Sequence, residues 1–194
     1  MSSNLFSFFP PPTGQPEGLD YRPDFISAEE ERALLSAFEH LPFRAFEFHG
    51  FLGKRRTVSF GWHYAFDGSG LRKTEDIPDW LIPARDRAAE LAGLPADAFE
   101  HALLLEYGEG AGIGWHKDRP VFGDVVGISL LAPARLRFRR KSGDKWERFA
   151  LTAEPRSAYL LRGSARSEWE HSIPGVEGLR YSMTFRSLRD GARP

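Results

Sequence analysis

The chain contains no cysteine. That absence excludes a disulfide scaffold, thiolate zinc sites and cysteine-held iron–sulfur clusters, so any metal bound here is held mainly by histidine nitrogen and carboxylate oxygen. Long apolar runs are missing too: nothing approaches the ~18 consecutive apolar residues of a membrane span, and residues 1–16 lack the basic start and apolar stretch of a secretory leader. A soluble cytoplasmic protein is the expectation. An excess of either charge is also absent. With 26 Lys and Arg against 27 Asp and Glu the net charge is −1, so there is no global positive field, and a nucleic-acid partner would have to meet a local patch.

What is present suits one folded unit. A length of 194 residues at 41% apolar content supports a single well-buried core, read as a monomer. Residues 1–19, with Pro10, Pro11, Pro12 and Pro16, are predicted as an extended arm that Phe6, Phe8 and Phe9 can pin to the surface. Residues 20–194 form the domain. Ser27 followed by Glu30 predicts a capping box opening a helix over 28–40, and a second helix is predicted from Trp80 through Leu91, with Pro83 in its first turn and Gly93 ending it. The period then becomes two. Short strands are predicted at 57–60, 102–107, 125–131, 136–138, 158–161 and 181–185, which gives an α+β domain whose second half is a β-sandwich or jelly roll.

Within Gly112-Ile113-Gly114-Trp115-His116-Lys117-Asp118, a histidine and a carboxylate stand two apart, and in extended chain such residues point to one side. With His171 as the third candidate, two imidazoles and one carboxylate would occupy one face of an octahedron and leave three positions open. His-x-Asp alone arises by chance in roughly one such sequence in three, so the weight falls on the residues C-terminal to His171. Arg180-Tyr181-Ser182-Met183-Thr184-Phe185-Arg186 alternates strictly, placing Arg180, Ser182, Thr184 and Arg186 on one face and the apolar residues on the other. The two arginine Cα atoms are about 20 Å apart in a strand, and their side chains leaning inward leave a gap for a short dicarboxylate.

His116-Lys117-Asp118, Trp169-Glu170-His171-Ser172-Ile173-Pro174 and above all the arginine-bearing strand resemble the AlkB family of iron(II)/2-oxoglutarate oxygenases over about residues 50–188. The resemblance implies a double-stranded β-helix (jelly roll) with supporting N-terminal helices and a nucleotide-recognition lid. It implies Fe(II) on His116, Asp118 and His171, which are then the catalytic residues. It implies 2-oxoglutarate with its distal carboxylate on Arg180, Arg186 near its metal-bound end and Asp118, Tyr107 hydrogen-bonding it, and Ser182 between the arginines. Several members carry Asn where this chain has Leu105 and Ser182, and an acidic, base-touching residue where it has Pro120.

The stretch 46–51 is aromatic and leads into Lys54-Arg55-Arg56, a composition that stacks bases and contacts phosphates. By resemblance Arg56 through Tyr64 belongs to the lid, with Arg56 in contact with substrate and Phe60 or Trp62 stacked on a flipped base. The other reading is a hairpin with its aromatics in the core. Arg135, Arg137 and Arg139 share a strand face, either guiding a phosphate backbone or simply solvated. The remaining histidines, His101 among them, read as surface or core residues. The leading function is oxidative dealkylation of N-alkylated bases in DNA or RNA. The alternatives are a hydroxylase or demethylase of a tRNA modification or protein side chain, a non-catalytic nucleic-acid-binding module on the same fold, and a cupin-type hydrolase or isomerase with no use for Arg180 and Arg186.

Overall fold

The computed structural model describes residues 14–48, 51–65 and 70–192. Residues 1–13 of the expected arm and the side chains of the aromatic run 46–51 lie outside the described residues. The element order is β1 (Leu19–Arg22), α1 (Ala28–Phe38), β2 (Arg44–Phe48), β3 (Phe51–Phe60), β4 (Trp62–Ala65), β5 (Gly70–Lys73) and α2 (Ile82–Ala92). It continues through β6 (Phe99–Tyr107), β7 (Ile113–His116), β8 (Phe122–Leu130), β9 (Ala134–Ser142), β10 (Lys145–Ala153), β11 (Ala158–Leu161), α3 (Gly163–Ser167), β12 (Glu170–Ile173) and β13 (Arg180–Leu188).

Both predicted helices form, and their ends show why. Ser27 Oγ accepts from Glu30 N at 3.1 Å while the Glu30 carboxylate accepts from Ser27 N at 2.7 Å, so two otherwise idle donors at the start of α1 are satisfied. Gly93 ends α2 at φ +62°, a left-handed cap that costs glycine nothing. Arg87 of α2 reaches Glu30 at 2.7 Å and locks the two helices together.

The strands build two antiparallel sheets, one ordered β1-β11-β8-β13-β6-β3-β2 and the other β10-β9-β12-β7, with β4 and β5 forming a separate hairpin. This is the jelly roll. Two cores arise from the layering. Between the helices and the outer side of the large sheet lie Leu34, Phe38, Ala88, Leu104, Met183 and Phe185, and between the sheets lie Tyr107, Val125, Leu136, Phe138, Tyr159 and Leu161. β13 is therefore buried on both faces. Its apolar side packs on the helices, and its arginine-bearing side looks into the space between the sheets. Leu19, placed at the end of the expected arm, is already buried and registered against Leu161 in β1.

Candidate active site

Strand register brings the predicted donors together. In the β7–β12 pair, His116 and His171 are directly opposed Cα partners, so both imidazoles turn to the inner face and their ring centres stand 4.2 Å apart. Asp118, just past the end of β7, places Oδ2 3.8 Å from His171 Nε2. Its Oδ1 accepts from Arg186 Nε at 2.9 Å, with Nη2 at 2.8 Å. His116 Nδ1 donates to the Gly114 carbonyl at 2.9 Å, which leaves Nε2 with a free lone pair.

The electrostatics favour ligation. Burial pushes His171 down to about 3, with His116 next in effect, and burial also lowers His116, so both rings are neutral at physiological pH. Burial opposes ionisation of Asp118, but the charge of Arg186 above all outweighs it and holds the carboxyl well below the usual range. Two neutral imidazoles and one ionised carboxylate are the donor set of an iron(II) centre with open positions. The three groups face one region of the pocket without closing on a common point.

The other end is built for an anion. Arg180 is 0% exposed. Its guanidinium lies 4.9 Å from the centre of the Tyr107 ring and Nη2 donates to Ser129 Oγ at 3.0 Å, while Nε and Nη1 have no hydrogen-bond partner among the described residues. A buried cation with idle donors is costly, and a carboxylate, which brings the opposite charge and can accept from Nη1 and the second Nη2 hydrogen in an end-on fork, is a group that answers it. Tyr107, Tyr159, Ser182, Thr184 and Arg186 line the pocket that also holds His116, Asp118 and His171. Tyr159 lies across Gly127 of the paired strand, where a Cβ would run into its ring. Burial pushes its phenol up to about 12, so the hydroxyl remains a protonated donor.

Two contributors escaped the sequence reading. Arg166 of α3 is buried and donates to the carbonyls of Gly123, Asp118, Arg119 and Phe122 at 3.0, 3.2, 2.7 and 2.8 Å, tying down the turn that carries Asp118. His101 is directly opposite Arg186 in the β6–β13 register, stacks on Phe122 with ring centres 4.8 Å apart and accepts from Arg186 Nη1 at 3.4 Å. Burial, and then the charge of Arg186, keep it neutral. No local motif marks either residue; for His101 the only signal is its even spacing, six residues before Tyr107 on the same strand face.

The predicted substrate contacts do not face the pocket. Arg56 pairs through Nε and Nη2 with Glu106 at 2.6 and 2.7 Å on the helix-covered side of the large sheet, where Tyr181 also donates to Glu106 at 3.0 Å. Its neighbour Arg55, opposite Tyr107, takes the site face, and its charge acts on His116. Phe60 points the same way as Arg56 and is a core residue, edge-on to Trp80 with ring centres 6.5 Å apart. Trp62 lies in the β4–β5 hairpin with Lys73 Nζ 5.7 Å from its ring centre, and it is not among the pocket's lining residues. The core alternative holds for Phe60 because the period-two face of β3 that carries it is the one the helices cover.

Residues 18–186 match the family model described as the 2OG-Fe(II) oxygenase superfamily. The chain is 28% identical over 198 residues to the "Alkylated DNA repair protein ALKBH8 homolog" of Arabidopsis thaliana, covering 89% of this chain and 56% of that protein. It therefore spans little more than half the length of that relative. It is 30% identical over 190 residues to the mitochondrial "Alpha-ketoglutarate-dependent dioxygenase alkB homolog 7" of Mus musculus, covering 89% of this chain and 79% of that protein. The solved structure of OsALKBH1 superposes with a TM-score of 0.69 at 16% identity, covering 89% of this chain and 97% of that one, which supports the jelly-roll fold. With the jelly roll, the histidines and carboxylate on one side of the pocket and the buried arginine strand in place, this match over most of its length means that the chain belongs to the 2OG-Fe(II) oxygenase superfamily, in its AlkB family, whose cofactors are Fe(II) and 2-oxoglutarate.

Proposed function

We propose that the chain is a 2-oxoglutarate-dependent dioxygenase that oxidatively dealkylates N-alkylated bases in DNA or RNA. The observation that carries the reaction type is Arg180, a wholly buried cation with Nε and Nη1 unpartnered among the described residues, on the same strand face as Arg186 and behind a pocket that holds two histidines and an aspartate. His116, Asp118 and His171 would hold the iron. When bound, iron(II) with 2-oxoglutarate supplies the oxidising power for hydroxylating an unactivated carbon, a chemistry no side chain can perform.

The chain's own residues do the rest. Arg180 fixes the far carboxylate of the co-substrate by charge and by its planar fork, with Tyr107 and Ser182 along the pocket wall. Arg186 keeps Asp118 ionised and aimed, His101 backs Arg186, and Arg166 holds the turn beneath it. Apolar Leu105, Ile113 and Ile173 exclude water from the reacting end. Support for a nucleic-acid substrate comes from the relatives' names, which include a "Probable RNA/DNA demethylase ALKBH6" of Danio rerio at 30% identity over 111 residues. Arg119, next in sequence to Asp118, lies 5.1 Å from the Tyr64 ring centre, an aromatic–cation pair suited to a base and its phosphate.

A tRNA modification or a protein side chain is the second reading. It is favoured by Pro120 at the acidic base-touching position and by the diversion of Arg56 and Phe60 into the fold. Succinate release from 2-oxoglutarate with added iron(II), followed by aldehyde release from methylated single-stranded DNA, RNA and tRNA, tests both. Succinate without aldehyde from any nucleic acid transfers the proposal to the second reading, hydroxylation of a tRNA modification or a protein side chain. No succinate under any condition, with iron binding intact, defeats the dioxygenase reading and leaves the non-catalytic binding module.

A further inference from the structure

The outer face of the small sheet is not used by the site, and its composition is lopsided. In the β9–β10 register, Arg135, Arg137, Arg139 and Lys141 stand opposite Thr152, Ala150, Arg148 and Trp146 on the side away from buried Leu136 and Phe138. Five of those eight outward positions are cations and none is an acid, in a chain whose net charge is −1. The one acid registered on this face is Glu170, which binds Arg139 at 2.6 Å. Arg135, Lys141 and Arg148 are exposed and have no ion pair among the described residues.

Aromatic planes are interleaved with these charges. Trp115 of β7 is approached by two guanidinium groups, with Arg137 5.0 Å and Arg139 4.4 Å from its ring centre, and Arg139 is also 4.6 Å from the centre of Trp146, which is 45% exposed. Arg137 is steadied by Ser172, whose Oγ accepts from Nε at 3.1 Å. The ladder is thus held from beneath, while Trp146 and the three unpaired cations face solvent. Gathering like charge on one face is self-repulsive unless an anion answers it. Repeated cations suit phosphates, and exposed planes suit bases, whereas an acidic polypeptide would use only the cations.

Position links the ladder to the pocket. β7 is the edge strand of the small sheet, and its Trp115 faces outward one residue before His116 faces inward. A strand whose target base enters the pocket has only this edge to cross to reach the ladder.

We infer that the outer face of the β10-β9-β12-β7 sheet is a single-stranded nucleic-acid track for nucleotides flanking the target base, with phosphates at Arg135, Lys141 and Arg148 and a base stacked on Trp146. The inference rests on the nucleic-acid substrate proposed for the pocket and gives that substrate a second contact surface outside it. Its test is anisotropy titration of the full chain with a labelled, unmethylated oligouridylate of about 20 nucleotides over a range of salt. The triple variant Arg135→Ala, Lys141→Ala, Arg148→Ala is expected to flatten the log–log salt slope by ~2, because each single-strand phosphate contact contributes ~0.7. Trp146→Ala should weaken binding on the order of tenfold with the slope unchanged, since stacking releases no counterions. Thermal unfolding checks that each variant is folded, and the pair Arg135→Ala, Arg148→Ala replaces the triple variant if it is not. An unaltered slope in a folded charge variant overturns the track. So does polyglutamate displacing the oligomer with matching affinity, which would assign the face to an acidic polypeptide. Because the oligomer carries no alkylated base, absence of dealkylation leaves this result standing, and failure of the track leaves any dealkylation untouched.

Discussion

Arg180 shows how a single residue can be wrong for folding and right for binding. Its guanidinium is fully buried and, among the described residues, Nε and Nη1 are unpartnered, so the ligand-free protein carries a desolvated charge answered by the Ser129 hydroxyl and the face of the Tyr107 ring. Replacing a poorly paired buried charge by an apolar side chain of similar size is often neutral or stabilising. Arg180→Met is therefore expected to leave the melting temperature of the ligand-free protein equal or higher. The same change removes a charge-assisted, two-point contact worth about 2–5 kcal/mol, so the requirement for 2-oxoglutarate should rise on the order of 30-fold or more. Calorimetric titration of 2-oxoglutarate into manganese-loaded, anaerobic protein checks the second half; binding like that of the unmodified chain would remove Arg180 from the site. Arg180→Lys should recover only part of the affinity, because the ammonium keeps the charge and loses the fork.

At the scale of elements, the α1–α2 pair has a titratable clasp. Glu30 is lowered to about 2, first by its hydrogen bond to Arg87, then by the Ser27 N–H. A carboxyl whose folded pKa lies below its unfolded value stabilises fully above the unfolded pKa and loses that contribution as pH falls through the folded one. The clasp is thus expected to contribute at pH 7 and to fade between about pH 4.5 and 2. Glu30 is 40% exposed as a side chain, so solvent screening limits the contribution to about 1 kcal/mol. Denaturant unfolding of the native chain and Glu30→Gln should differ by that amount at neutral pH and converge near the lower limit; a gap that persists there would show that the clasp is not ionic. β13 behaves differently from what its alternation suggests in isolation. A strict period of two reads as half-exposed, yet both faces are buried, because one meets the helices and the other lines the pocket.

For the whole molecule, the site is a junction between sheets and should report on global stability. His116 and His171 come from the small sheet, while Tyr107, Ser182, Thr184 and Arg186 come from the large one. A ligand bridging them binds only the folded state. At about 100 times its dissociation constant, 2-oxoglutarate with manganese(II) is expected to add ~2.7 kcal/mol, or about 5–10 °C in melting temperature for a domain of this size. Neither component alone should match the pair. An equal shift from manganese(II) alone would mean that the co-substrate does not occupy the gap between the sheets.

The boundary between sequence and tertiary structure runs through particular residues. Local rules were sufficient for the Ser27–Glu30 capping box, the Gly93 stop, the strand cores and the one-sided arginines of β13, because each depends on neighbours a few positions away. Spacing, strand alternation and the family resemblance together singled out His116, Asp118, His171, Arg180 and Arg186, which the fold gathers around one pocket or just behind it. What needed the fold was which side each strand presents. Arg55 and Arg56 are adjacent and chemically identical, and only the pairing of β3 with β6 decides that Arg55 looks toward the pocket while Arg56 spends its charge on Glu106. The same register buried Phe60 beneath the helices and set His101 behind Arg186. Side chains alternate with a period of two, so a one-residue difference in register exchanges core for site, and register is set by contacts across tens of residues of chain rather than by the strand itself.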